Sequence, residues 1–196
     1  MTAQLFNNSI RPIDIISIIN QRLDAEAPQP YTSKSFKKNE YIYLPHKHAD
    51  QIYIVKEGRV KIGSHGNDGK ELIKKIALKG ELFGELTMIG QSTHKDYAIT
   101  MEDTEVFILT TKELQLLMRE DQILSLNIMQ LLGNRLMEME HRLEALVFRT
   151  SRNRIIDFLE TLVNKRGQRI GYEMLVRKFF THQEIANITA TSRQTN

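Results

Sequence analysis

The clearest pattern in the chain is an apolar stripe between residues 129 and 146. Its members follow one another at alternating intervals of three and four residues, and they are Met129, Leu132, Leu136, Met139, Leu143 and Leu146. This spacing places the side chains on one narrow face of an α-helix, while charged residues fill the other faces. The stripe predicts either a parallel dimer of two such helices or one long amphipathic helix packed inside its own domain.

Before this stripe the apolar positions mostly alternate with a period of two. The run QIYIVKEGRVKIG places apolar residues on both sides of Glu57-Gly58, which predicts a β-hairpin. A second turn is predicted at residues 66–69, and the β-rich part ends near Thr110. Further β-rich runs are 41–44, 71–78 and 98–109. Turns recurring every ~8 to 12 residues predict a jelly roll or barrel of about eight strands. Residues 10–23 have mostly helical spacing and predict a short N-terminal helix.

Helix-capping signals divide the rest of the chain. Thr111 is the candidate N-cap of a helix that leads into the stripe, and Thr150 or Ser151 caps a second amphipathic helix. Thr181 caps a third helix, HQEIANIT, and Ser192 is placed as the N-cap of a fourth. Two helices joined by a short turn are the arrangement of a helix-turn-helix, which binds DNA.

The charge of the chain is distributed unevenly. Nine Lys and Arg stand against four Asp and Glu between residues 149 and 196, whereas the preceding residues carry 18 against 20. A basic terminal segment behind a slightly acidic one is typical of a nucleic-acid-binding module with a separate control domain, although a solvated helical face has the same composition.

The composition also excludes several functions. The chain has no cysteine, so disulfides, cysteine-ligated iron–sulfur clusters and thiol catalysis are ruled out. Its start has no signal-peptide pattern, and it contains no apolar run long enough to span a membrane. It has no nucleophile with a base, no acidic dyad in a defined motif and no phosphate-binding loop. The sequence therefore predicts a soluble, cytoplasmic protein that is not an enzyme and has no membrane partner.

Five stretches, taken in order, resemble the Crp/Fnr superfamily of bacterial transcription regulators, which includes the cyclic AMP receptor protein. They are IYIVKEGRVKI, KGELFGEL, AITMEDTEV, NRLMEMEHRLEALVF and THQEIANITATSRQT. The resemblance implies an α+β fold with a cyclic-nucleotide-binding-type β jelly roll that senses an effector, at 1–120. A dimerisation helix at 121–148 and a partial winged helix-turn-helix domain at 149–196 would follow, with a hinge at 148–150. It also implies a homodimer that binds palindromic promoter DNA, with RNA polymerase as a further candidate partner.

The same resemblance implies an effector pocket. In cyclic AMP-binding members, residues matching Gly84, Glu85 and Leu86 open a short helix that holds the phosphate and the ribose. His94 and Lys95 stand where those members have an Arg-Ser pair, and the loss of Arg removes a contact worth roughly 1.5 to 3 kcal/mol. On the dimer helix, Arg135 is kept, whereas Met139 and Glu140 replace a Thr-Ser pair. Cyclic AMP is therefore not expected to bind in the usual way, and Gly84–Leu86 either bind another effector or serve the turn alone.

No metal or other cofactor is predicted. His46 and His48 lie two residues apart in a turn, and haem-dependent relatives exist in the superfamily, but no third ligand accompanies the two histidines. Solvated loop histidines are the simpler interpretation.

The DNA-binding residues follow from the resemblance at the end of the chain. Arg193 matches the residue that contacts guanine, and Gln194 replaces a Glu, which predicts an altered half-site because an amide suits adenine. Candidate phosphate contacts are Thr181, His182, Gln183 and Ser192, although Thr181 and Ser192 have capping as an alternative role. The sequence stops inside the expected recognition helix, which predicts a truncated form of a longer protein or a product defective in DNA binding. The alternative function is a cyclic-nucleotide-binding regulatory module that acts through a protein partner.

Overall fold

The computed structural model describes Ile15 and residues 30–177 and 180–192, with the side chain of Lys165 excepted. These residues form two compact units. The first unit contains Ile15 and residues 30–65 and 73–134, and the second unit contains residues 66–72 and 135–192. The predicted N-terminal helix at 10–23 lies outside the described residues except for Ile15, which is helical and buried.

Eight antiparallel strands form the predicted jelly roll, and they lie in two four-stranded sheets. The strands are β1 (Thr32–Phe36), β2 (Tyr41–Tyr43), β3 (Gln51–Glu57), β4 (Arg59–His65), β5 (Glu71–Leu78), β6 (Leu82–Phe83), β7 (Tyr97–Thr100) and β8 (Thr104–Thr110). One sheet has the order β1-β8-β3-β6 and the other has the order β2-β7-β4-β5. A short 3-10 helix, Glu85–Ile89, follows β6.

The predicted hairpin at Glu57-Gly58 is wrong, because β3 and β4 lie in different sheets. β3 pairs with β8 and β6, whereas β4 pairs with β7 and β5. The chain passes between the sheets at Gly58, whose φ is 94° and whose missing Cβ would lie 2.4 Å from Thr104 Oγ1. Alternation alone could not reveal this, since each strand has an apolar face whether or not it pairs with its neighbour in sequence.

Strand β3 is buried on both faces, which explains its continuous apolar run. Tyr53 and Val55 belong to one core cluster together with Phe36, Tyr43 and Phe83. Ile52 and Ile54 belong to a second cluster, which also contains Leu82, Leu109, Leu114, Leu124 and Ile128. Helical side chains therefore cover the face of the sheet that the other sheet does not.

After the jelly roll, the described residues form four α-helices and a two-stranded hairpin, which complete the predicted α+β fold. The helices are α1 (Thr111–Glu120), α2 (Gln122–Phe148), α3 (Ser151–Arg166) and α4 (His182–Thr189), and the hairpin strands are β9 (Gln168–Ile170) and β10 (Glu173–Leu175). Of the two predicted N-cap candidates for α3, Thr150 and Ser151, the cap is Thr150, because its Oγ1 accepts a hydrogen bond from Asn153 N at 3.3 Å.

The N-cap of α1 is Thr110, and the prediction of Thr111 is wrong. Glu113 N donates to Thr110 Oγ1 at 3.2 Å, and Thr110 N donates to Glu113 Oε2 at 2.7 Å, which makes a capping box. Thr111 Oγ1 instead donates to Asp50 O and lies 3.0 Å from Thr87 Oγ1. The box needs a Glu three residues after its Thr, and only Thr110 has that spacing.

Candidate functional site

The predicted phosphate-binding turn is shaped by contacts with the jelly roll itself. Gly84 has a φ of 78°, and a Cβ at this position would lie 3.1 Å from Tyr53 Cδ2 and 3.2 Å from Gln51 O. Only glycine suits both the left-handed backbone and this close approach. The fold therefore accounts for Gly84 without a ligand, as the alternative interpretation of this turn requires.

The side chain of Thr87 anchors the residues that follow Gly84 toward the interior. Thr87 is buried, and its Oγ1 donates to Gly84 O at 3.1 Å and lies 3.0 Å from Thr111 Oγ1. Glu85 is half-buried and Leu86 is exposed. Of the three predicted residues, Leu86 is thus the only exposed one.

His94 is buried and stacks on an aromatic ring instead of facing solvent. Its ring centroid lies 3.7 Å from that of Tyr43, with 5° between the ring planes. Burial lowers the pKa of His94, and the nearby carboxylates of Asp96 and Asp50 oppose this shift only in part. The imidazole is therefore neutral at neutral pH and lacks the permanent charge of an Arg. Lys95, which follows it, is exposed.

Backbone hydrogen bonds hold the segment that contains His94. His46 N donates to His94 O at 2.7 Å, and His94 N donates to Lys47 O at 2.9 Å. His48, the other histidine of this turn, is exposed, and its Nε2 lies 3.6 Å from Asp50 Oδ2. Within the described part of the chain, no group of three or more His, Cys, Asp or Glu residues is placed to bind a metal ion.

Aromatic side chains fill the space between the two sheets beside this segment. Tyr43 and Tyr53 have ring centroids 5.6 Å apart, and Tyr53 and Phe83 stack at 5.1 Å. Tyr53 OH donates to Gln51 Oε1 at 3.0 Å, and burial, with Asp50 nearby, raises the pKa of Tyr53 to about 12. These rings were not predicted as neighbours of His94, because the apolar run of β3 is continuous and alternation alone does not show which face of the strand Tyr53 occupies.

The other predicted pocket residues lie on α2, in the second unit. Arg135 is half-buried there, whereas Met139 and Glu140 are exposed. The set predicted for the effector therefore includes residues of both units.

The apolar stripe on α2 is largely exposed in the single chain. The exposed fractions are 67% for Met129, 60% for Leu136, 64% for Met139, 64% for Leu143 and 49% for Leu146. Leu132 is half-buried and packs against the second core cluster. An exposed apolar stripe of this kind is a candidate interaction surface. The described part of the chain contains no helix with the length and hydropathy that a membrane crossing requires.

The first predicted DNA-binding residues lie at the start of α4. Thr181 caps the helix, with Glu184 N donating to Thr181 Oγ1 at 3.2 Å and Thr181 N donating to Glu184 Oε2 at 2.8 Å. Thr181, His182 and Gln183 are exposed, whereas the buried side of the helix consists of Ile185, Ala186 and Thr189.

A tight turn follows α4. Its C-cap, Ala190, adopts a left-handed conformation with a φ of 52°, and the sequence analysis did not foresee this. Ser192 is exposed, and the predicted base-contacting residues Arg193 and Gln194 lie outside the described residues. The described part of this site is thus a capped helix followed by the turn that leads to Ser192.

Comparison with known proteins finds one matching domain family and several similar sequences. Residues 33–121 match the family described as Cyclic nucleotide-binding domain. The chain is 31% identical to the Cyclic AMP receptor protein of Thermus thermophilus over 144 residues, which cover 74% of this chain and 63% of that protein. It is 24% identical to the Anaerobic regulatory protein of Bacillus subtilis over 187 residues, covering 95% of this chain and 78% of that protein.

Solved structures share the fold. A mutant of CooA from Carboxydothermus hydrogenoformans has a TM-score of 0.77 and 24% identity, covering 93% of this chain and 80% of that chain. The c-di-GMP responsive global regulator CLP from Xanthomonas campestris has a TM-score of 0.73 and 22% identity, covering 85% of this chain and 83% of that chain. Residues 33–121 thus match a cyclic nucleotide-binding domain, the sequence relatives named above are regulators, and the chain shares the fold of these two solved structures.

Proposed function

We propose that this protein is a homodimeric DNA-binding transcription regulator. Residues 1–120 would form the sensing domain, 121–148 the dimerisation helix and 149–196 the DNA-binding domain. The observation that carries the proposal is the exposed start of α4, with its capping box, in a chain whose preceding long helix displays an apolar stripe. The named relatives are regulators, and no enzymatic activity is proposed for this chain. We expect the protein to act in the cytoplasm.

The stripe on α2 supports the dimer. Five of its six side chains are exposed, and two copies of the helix would remove them from water together. Burial of each Leu or Met contributes about 1.5 to 3 kcal/mol, which is enough to hold two helices together along several turns. The charged residues on the other faces keep the remaining helix surface soluble.

The surroundings of His94 support an effector site that differs from the usual one for cyclic AMP. The imidazole is buried against Tyr43 and neutral, so Lys95 is the only permanent cation among the predicted jelly-roll pocket residues. Glu140 would add a negative charge near an anionic ligand. The effector is then a different small molecule, or the protein acts without one.

Calorimetric titration with cyclic AMP and cyclic GMP, up to millimolar concentrations, tests this part of the proposal. We expect no heat of binding and an unchanged melting temperature. Binding in the micromolar range would mean that Lys95 replaces the missing Arg, and the protein would then be a cyclic-nucleotide-responsive regulator.

The basic C-terminal segment supports DNA as the partner. Residues 149–196 carry nine Lys and Arg against four Asp and Glu, which favours approach to phosphates. Thr181, His182, Gln183 and Ser192 would contact phosphates, Arg193 would contact guanine and Gln194 would contact adenine. A dimer would require a palindromic promoter site with half-sites about one helical turn apart. RNA polymerase remains a further candidate partner.

Selection from randomised duplex DNA tests the DNA-binding function. We expect enrichment of inverted repeats, and Arg193→Ala should weaken binding to the selected duplex about tenfold or more and relax the preference at one guanine. Arg177→Ala removes the same charge from an exposed position and should weaken binding to all duplexes equally. If no sequence is enriched while a cyclic nucleotide binds, the regulatory module that acts through a protein partner is the better interpretation.

A further inference from the structure

The guanidinium group of Arg154, in the first turn of α3, connects three segments of the second unit. Its Nε donates to Thr189 O and its Nη2 donates to Ala190 O, both at 3.0 Å, at the end of α4. Its Nη1 donates to Arg149 O at 3.0 Å, just after α2, and its Nη2 lies 3.4 Å from Ser151 Oγ. The planar fork of an Arg can make these bonds together, whereas the single ammonium of a Lys cannot.

The first of these segments contains a backbone conformation that needs support. Ala190 has a φ of 52° and a ψ of 48°, which is unfavourable for a residue with a Cβ. Such conformations persist only where the surroundings hold them in place. Arg154 binds the carbonyl groups of Thr189 and Ala190, which lie immediately before and after the Ala190 φ and ψ angles, and its positive charge also lies at the C-terminus of α4, where the helix dipole favours a cation.

The other end of the connection is Arg149, the residue that follows α2. Arg149 N donates to Ala145 O at 3.0 Å and so extends the hydrogen bonding of that helix. Its carbonyl accepts from Arg154, and its side chain forms an ion pair with Asp157. Residue 149 is thus held to α3 at two points, and a rotation confined to residues 148–150 would break both.

We infer that Arg154, Arg149 and Asp157 form a brace that joins the end of α2 to the turn after α4. The brace makes Arg154 a positioning residue for the segment that begins at Thr191. Movement of the end of α2 is then passed to the turn, instead of being absorbed at residues 148–150. The consequence for DNA binding rests on the proposed function, whereas the brace itself does not.

Hydrogen exchange of the protein without DNA tests the brace directly. Arg154→Ala should speed exchange of the Thr191 amide, which donates to Ala186 O at 2.9 Å, by about tenfold or more. Arg154→Lys should not restore the slow exchange, because Lys lacks the fork. Arg152→Ala is the matched control: it removes the same charge from an exposed position in the same turn of α3 and should leave the Thr191 amide unchanged.

Asp157→Asn tests whether the ion pair at Arg149 affects the turn after α4, as a brace requires, or whether Arg154 holds that turn through its own contacts alone. Asp157 pairs with Arg149 and is not itself a partner of the turn, yet the brace predicts about twofold faster exchange at Thr191, since partly exposed ion pairs contribute little. Unchanged exchange at Thr191 in either Arg154→Ala or Asp157→Asn would overturn the brace. Equal acceleration throughout α3 and α4 would also overturn it, because it would indicate general unfolding.

Binding to the selected duplex then tests the consequence for DNA. Both variants remove one positive charge, but only Arg154→Ala also removes the brace. Arg154→Ala should therefore lose about tenfold more affinity for the selected duplex than Arg152→Ala. Equal losses in the two variants would mean that the brace does not position the DNA-contacting segment. Failure of the unaltered protein to bind any duplex would contradict the proposed function and leave the hydrogen-exchange result standing.

Discussion

The jelly roll and the segment from residue 135 onward differ in how far the chain covers its own apolar surface. In the jelly roll both faces of β3 are buried, and Phe83 and Tyr97 are almost completely inaccessible. In the C-terminal segment Phe148 is 81% exposed, and Leu136, Met139 and Leu143 line an open stripe. One region therefore buries its apolar side chains by folding, whereas the other leaves several of them exposed in the single chain.

The largest expected effect concerns that open surface. Leu136→Glu combined with Leu143→Glu should convert the proposed dimer to monomers, because four apolar side chains, two from each copy, would be lost, at about 1.5 to 3 kcal/mol each. Analytical ultracentrifugation would measure the change in mass. Gln130→Glu with His141→Glu adds two acidic residues at exposed positions off the stripe and should leave the dimer intact. An intact dimer in the first variant would place the interface elsewhere.

A substitution in the closed core of the jelly roll should have the opposite effect: it should lower the free energy of unfolding and leave the oligomeric state unchanged. Phe83→Ala should lower the free energy of unfolding by about 3 to 5 kcal/mol, since it leaves a cavity between the sheets. Ile89→Ala, at a 72% exposed position nearby, should change it by less than about 0.5 kcal/mol. Chemical denaturation would measure both, and similar losses in the two variants would contradict the described core.

A smaller effect is expected at the start of α4. Thr181→Ala removes the capping box with Glu184 and should cost about 1 kcal/mol of stability in the C-terminal region. Thr181→Ser keeps the hydroxyl and serves as the control. Thermal unfolding followed by circular dichroism would report the change, and equal melting temperatures for the Ala and Ser variants would show that the cap contributes nothing.

The smallest effect is a pH dependence that originates in the jelly roll. Burial lowers the pKa of His94, although Asp96 and Asp50 act against the shift, so the unfolded chain takes up a proton more readily than the folded one. Stability should therefore fall as the pH drops below about 6.5, the ordinary value for His, toward the lower pKa of the folded state. Urea unfolding at a series of pH values would measure this slope.

His94→Phe is the matched variant for that measurement, because it keeps an aromatic ring against Tyr43 but cannot take up a proton. Part of the slope just below pH 6.5 should disappear in this variant. The pKa values of Asp103 and Glu105, which bind lysines, are lowered. The stability that these carboxylates contribute is therefore lost at more acidic pH, equally in both proteins. An identical slope in both proteins would show that His94 is not the group responsible.

The sequence by itself determined the features that depend on neighbouring residues. Spacing of three and four residues predicted a helical stripe at 129–146, and capping signals placed helix starts at Thr150 or Ser151 and at Thr181, because capping and helical periodicity act over a single turn. The α+β fold and the resemblance to Crp/Fnr regulators were likewise apparent from short stretches in order.

Only the tertiary structure decided the features that join distant residues. The partners of β3 are β8 and β6, so the expected hairpin does not form, and the surroundings of His94 depend on Tyr43, fifty-one positions earlier. Arg154 reaches the carbonyl of Ala190 across the second unit, although neither residue is unusual in the sequence. Strand pairing, burial and hydrogen bonds between separate elements are set by the packing of the whole chain, and local patterns do not specify them.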